Sequence, residues 1–173
     1  PNRNTSERES RNYPEQPPLI VDIQGFNQTD QRVRPVMHNF QVSPSYFDTM
    51  GIRIVRGRAF NAFDRAGAEP VAIVSEAAAR TIWKGRDPLG ARVQTIPNEP
   101  WMTVVGIATD VLHRRLTDSP QPILYRSLEQ SSDLSLALVI RTSGATPNLP
   151  ESIAREIRAL DPDLPVHAVR TMT

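Results

Sequence analysis

The sequence predicts an α+β body with many irregular connections. Three observations carry this expectation: short β-branched runs follow one another through the middle of the chain, three helical patterns interrupt and follow them, and 16 prolines against 8 glycines fix many turns. At 173 residues the chain is one domain or two small ones, long enough to fold without a metal or disulfide staple.

Residues Pro1 to Pro18 are rich in Asn, Ser, Glu, Arg and Pro, so burial cannot offset their ordering entropy and a flexible or extended lead-in over 1–18 is expected. Two strands follow, over Leu19 to Phe26 and Val36 to Val42. Ser43-Pro44 reads as a helix start, because a serine oxygen can cap free amides and proline needs no amide partner there. Gly51 is the stop, and Tyr46, Phe47 and Met50 give the short helix one apolar face. Ile52 to Val55 resumes an extended path.

Val71 to Val74 is a β-branched-rich strand, and Ser75 caps a helix running through Trp83, with Gly85 as its left-handed C-terminal residue. Strands are expected at Val93 to Ile96 and Trp101 to Val111, around the Pro97 to Pro100 turn, then at Ile123 to Tyr125 and Leu134 to Thr142. A last helix runs from about Asn148 to Leu160, with Leu149, Ile153, Ile157 and Leu160 along one side. Pro162 and Pro165 end it, and Val166 to Val169 returns as a strand, closing a β-α-β unit that begins at Leu134.

Charge and composition narrow the function. The net +1 arises from 20 basic and 19 acidic residues that are interspersed, which offers no single-sign field to hold nucleic acid. The absence of cysteine excludes disulfides, thiolate metal sites and a cysteine nucleophile. No apolar run approaches the roughly 20 residues that cross a bilayer, so the chain reads as a soluble domain.

Candidate chemistry is sparse. His38, His113 and His167 lack the short pair spacing of metal sites and read as hydrogen-bonded residues of the sheet or its connections. Ser75 stands at a strand-to-helix turn, where hydrolases place a nucleophile, yet Val74 and Ala77 fall outside the G-x-S-x-G pattern, and capping is the expected role. No G-x-x-x-x-G-K-[ST] or G-x-G-x-x-G is present to cradle a nucleotide. Arg53, Arg56 and Arg58, with Arg65 nearby, read as a solvated basic strand face, the alternative being an anion or lipid-headgroup site. Asp110, Asp118 and Asp133 lie near strand ends or turns, where aspartate is common. The expectation is no catalytic, cofactor-binding or metal residue.

The run Val42-Ser43-Pro44-Ser45-Tyr46-Phe47-Asp48-Thr49-Met50-Gly51-Ile52, then Arg56-Gly57-Arg58-Ala59-Phe60, resembles the V-S-P-x-Y-F-x-x-M-G-I and R-G-R-x-F signature of MacB-like core domains of FtsX-like ABC-transporter permeases. The likeness continues through Pro70-Val71-Ala72-Ile73-Val74-Ser75-Glu76-Ala77, Trp83-Lys84-Gly85-Arg86-Asp87-Pro88-Leu89-Gly90-Ala91-Arg92-Val93, Thr103 to His113, and Leu160-Asp161-Pro162-Asp163-Leu164-Pro165-Val166. It covers roughly Phe40 to Met172 and is nearest to the acidobacterial-type permease group. Two departures stand out: Ser127 occupies a position where many relatives have proline, and Pro1 to Pro18 does not resemble the additional β-α unit with which such domains begin.

The resemblance implies a two-lobed extracytoplasmic core domain over 19–173: a porter-like β-α-β lobe, its C-terminal part at about 134–173, with an inserted strand-rich lobe carrying short helices at about 40–116. It implies a non-enzymatic part of an inner-membrane permease that relays or gates ATP-driven movement on the periplasmic side. Its partners would be a second permease copy, a cytoplasmic ABC ATPase subunit acting indirectly, and a periplasmic adaptor or exported substrate. Two rivals remain: a periplasmic module holding a small molecule or lipid between the lobes, with the face of Arg53, Arg56 and Arg58 as a candidate wall, and a hydrolase using Ser75.

Overall fold

The structure, a computed structural model, describes residues 18–26, 34–95, 99–111, 119–131, 136–144 and 146–164. Eight strands form one mixed sheet: β1 (Leu19–Ile20), β2 (Asp22–Ile23), β3 (Val36–Val42), β4 (Ile54–Gly57), β5 (Val71–Ser75), β6 (Arg92–Gln94), β7 (Met102–Ala108) and β8 (Ile123–Ser127). Their order is β1-β3-β8-β5-β7-β6-β2, with β4 also paired to β7. The β3–β8 and β5–β7 pairs are parallel and the rest antiparallel. With a dominant sheet and few helices among the described residues, the α+β expectation holds.

The pattern of β5 explains its place. Val71-Ala72-Ile73-Val74-Ser75 has no polar alternation, and all five residues are buried, as a central strand covered on both faces requires. One face packs Ala72, Val74, Val104, Leu124 and Met37 against Trp83 and Ala78, while the other packs Ile73, Ile123 and Tyr125 against Phe47, Phe60 and Ile52. The short stretch Leu19 to Ile23 pairs with β3 through β1 and with β6 through β2, so it covers both ends of the strand order. Fully buried Val21 lies at the junction and donates its N–H to the Pro35 carbonyl at 2.9 Å.

The described residues form three α-helices: α1 (Tyr46–Met50) and α2 (Glu76–Ala78, running on as a π-helical turn over Ala79–Trp83) in the chain segment that carries the sheet, and α3 (Leu149–Leu160) near the end of the chain. Gly51 ends α1 in the left-handed region at φ 69°, as expected. Ser43 does not cap it: the helix begins at Tyr46, whose N–H reaches the Ser43 carbonyl at 3.1 Å, making residues 43–46 the entering turn. The predicted regular helix through Trp83 widens midway. The Thr81 hydroxyl bonds the Ala77 carbonyl at 2.7 Å, and the wider turn accompanies burial of Trp83 in the core. Both Lys84 and Gly85 then take positive φ.

Other boundaries shift modestly. The expected strand at Leu19 to Phe26 is two short strands followed by a turn at Gly25, and the one at Ile52 to Val55 is displaced to β4. Leu136 to Thr142 forms no strand. Leu136 and Leu138 are 70% and 68% exposed, and an apolar run makes a strand only where a neighbour accepts its ladder. The chain divides into compact units at 1–139 and 140–173. Within the second, α3 carries Pro150 in its first turn and buries none of its residues. The lead-in before Pro18, the strand expected at Val166 to Val169, and His113, His167, Asp118 and Asp133 lie outside the described residues.

Candidate functional site

The first site to test is the strand-to-helix turn at Ser75. Its side chain is fully buried, and its oxygen accepts the Ala78 N–H at 3.2 Å and the Ile123 N–H at 3.0 Å. The hydroxyl therefore starts α2 and fastens β8, roles that a freely attacking nucleophile could not combine. Asp110 completes the same helix start: its carboxylate accepts the Ala77 N–H at 2.6 Å and pairs with Arg80 at 2.8 Å. Local sequence pointed to Ser75 as the cap but gave no sign of Asp110, which arrives from the far end of β7.

The arginines of β4 and its continuation do not act as one basic face. Arg56 pairs with Asp87 at 2.7 Å, and Arg58 grips Asp64 with two bonds of 2.7 and 2.8 Å. Arg53 is exposed, and its backbone N–H lies on the Thr109 hydroxyl at 3.2 Å. Asp64 is only 4% exposed, and burial by itself opposes its ionisation. The Arg58 bonds, the Asn61 N–H and the Arg58 charge outweigh that opposition and hold the carboxyl below its ordinary range. Asp87 is likewise held low by the Arg56 bond and the Leu89 N–H.

His38 lies half-buried in β3, and its backbone N–H donates to the Pro122 carbonyl at 2.9 Å. Two open depressions mark the first unit. One, of about 500 Å³, lies beside α1 and includes Arg53 but neither Arg56 nor Arg58. The other, of about 200 Å³, lies between the loop before β5 and the end of β8. Neither depression is the cradle under all three arginines that the alternative, ligand-binding reading would favour.

What does converge is a framework. Gly57 and Gly106 face each other across β4 and β7; a Cβ on Gly57 would strike the Val105 carbonyl oxygen, and one on Gly106 the Arg58 carbonyl oxygen. Val105 is the extra residue of a bulge in β7, and its carbonyl accepts the Arg58 N–H at 2.9 Å. The Asp64 carbonyl in turn accepts the Ser127 hydroxyl at 2.8 Å, joining this loop to the end of β8.

The family of MacB-like periplasmic core domains matches residues 11–160. The chain belongs to this family. A search of curated proteins returns no significant match. Among solved structures, the MacB-like chain is similar to the periplasmic region of MacB from Actinobacillus actinomycetemcomitans, with 16% identity and a TM-score of 0.59 over 83% of this chain and 63% of that one. It is also similar to a domain described as that of a permease protein from Porphyromonas gingivalis, with 16% identity and a TM-score of 0.56 over 85% of this chain and 67% of that one. At such identity these likenesses concern the fold. This MacB-like chain spans 63% of the length of the MacB region it matches.

The name makes sense of the motifs. In this MacB-like domain the R-G-R-x-F run supplies the Gly57 contact, the Arg58 clamp and buried Phe60, while the W-x-G-x-D-P run supplies buried Trp83, left-handed Gly85 and the Asp87 partner of Arg56. Signature residues far apart in sequence are therefore bonded to one another. Family membership makes this a core domain of the MacB-like periplasmic kind. Among the described residues, no helix is long and apolar enough to cross a membrane.

Proposed function

We propose that this MacB-like domain is a non-catalytic, mechanically stiff part of a permease, which relays or gates ATP-driven movement outside the membrane and touches substrate or a periplasmic partner. The observation that carries the reading is that signature side chains are bonded within the domain, Arg56 to Asp87 and Arg58 to Asp64, whose carbonyl is held in turn by Ser127. Groups committed to one another in this way transmit displacement better than they bind a ligand. ATP would be hydrolysed by a cytoplasmic subunit, and a second permease copy would carry the opposing domain.

The division into lobes belongs to the same reading. Residues of about 40–116 would form the inserted lobe, and about 134–173 the C-terminal part of the porter-like lobe.

The test uses the absence of native cysteine in this sequence. Spin labels at Lys84→Cys and Gln121→Cys are introduced into the permease that carries the domain, and distances are measured without nucleotide and with ATP trapped. A relay predicts a constant distance within one domain and a changed distance between the two copies. Identical inter-copy distances in both states, in a transporter that still hydrolyses ATP, would overturn it.

A further inference from the structure

We infer that the loop from Ala59 to Pro70 is a contact surface between two copies of this chain, with Phe63 as its anchor. Phe63 is 82% exposed, yet the loop that presents it is tied down on all sides. The Phe63 N–H donates to the Asn61 side-chain oxygen at 2.9 Å, and the Asp64 N–H donates to the Asn61 carbonyl at 3.0 Å. Asp64 behind it is clamped by Arg58, and its carbonyl is held by Ser127. Farther along, the Gln130 amide bonds the Glu69 carbonyl at 2.9 Å and accepts the Val71 N–H at 3.1 Å. A large aromatic ring held in water by a fastened loop brings little ordering cost to an interface.

The receiving surface is adjacent. The depression of about 200 Å³ is lined by Ala66, Ala68, Pro70, Val71, Pro100 and Met102 among others. That volume is below the range typical of small-molecule sites and suits one inserted side chain. Knob and hole share one patch, because Arg65 to Ala68 directly follow Phe63 and form part of the rim. A patch carrying both is self-complementary: a two-fold axis beside it lets each copy place its Phe63 in the other's depression. The lining also bears exposed Arg65 and half-buried Arg126, the latter paired with Glu99 at 3.1 Å, while exposed Glu69 lies in the same loop just before Pro70, so the loop brings charge of both signs to the contact.

This inference deepens the pairing part of the function proposed above, and its test is separate from the distance measurement. Ala62→Cys, which keeps Phe63, is mixed with Pro100→Cys or with Gln121→Cys, the last lying beyond the opposite end of β8. Mild oxidation is expected to yield several-fold more heterodimer with Pro100→Cys than with Gln121→Cys. Adding Phe63→Ala to the Ala62→Cys chain is expected to bring the yield down to the control level, with no change in melting temperature, and Phe63→Leu to restore part of it. Equal yields with both partners, or a yield indifferent to Phe63→Ala, would overturn the inference while leaving the relay reading untouched.

Discussion

Asp64 shows how one residue of this domain serves several links at once. Its carboxylate holds Arg58 and the Asn61 N–H, and its carbonyl holds Ser127. Asp64→Asn removes the charge but keeps the shape, and an expected loss of about 1–3 kcal/mol follows from leaving the bonds of this buried side chain to Arg58 and Asn61 imperfectly made. Urea unfolding of the two proteins checks this. The sign of the acid response follows from the lowered folded-state value. Between that value and the unfolded value of about 3.9, the unfolded chain binds more protons, so the Asp64 contribution is complete above this window and is lost as pH falls through it. The Asn variant should therefore lose less stability than wild type on acidification, and parallel acid curves would contradict the assignment. Gly57→Ala meets both a positive φ of 73° and the Val105 carbonyl, and its melting temperature should fall well below that of Gly67→Ala, where open space surrounds the new methyl.

At the scale of elements, α2 has a doubly secured start. Ser75→Ala removes a cap and leaves the buried Ile123 N–H unpaired, an expected cost of about 2–3 kcal/mol in denaturant unfolding. Asp110→Ala instead releases the Ala77 N–H and Arg80 at a partly exposed end. Its effect should be local: faster amide exchange at Ala77 and Ala78, with exchange in β5 little changed. The difference between these residues also shows what was legible. A serine between a β-branched run and three alanines announces a cap, because that bond is made within one turn. Asp110 makes its bonds to residues thirty or more positions away, and nothing near it in sequence marks that role.

For the molecule as a whole, protection should follow burial. β5 is buried throughout and flanked by β7 and β8, whereas α3 buries none of its residues. Hydrogen exchange should therefore be slowest in β5 and β7 and fastest over α3. Comparable protection across both would show that α3 is covered in solution by something else. The Ser127 departure belongs to this scale too: where many relatives were expected to have proline, the hydroxyl fastens the end of β8 to the Asp64 loop. The path into the turn at Leu128–Gln130 is thus held by a side-chain bond.

The sequence by itself determined the α+β class, most strand positions, the Gly51 stop, the Ser75 cap and, through its motifs, the family. Each of these depends on residues that are neighbours in the chain or recur in a known pattern. Tertiary structure alone decided the strand order, the pairing of Leu19 to Ile23 with both ends of the sheet, the π-helical end of α2 and the partners of Arg56, Arg58 and Asp110. It also decided that Leu136 to Thr142, an apolar run of the kind strands use, forms none. Alternation fixes which residues can share a face; only a neighbouring strand with free backbone groups turns that pattern into a ladder.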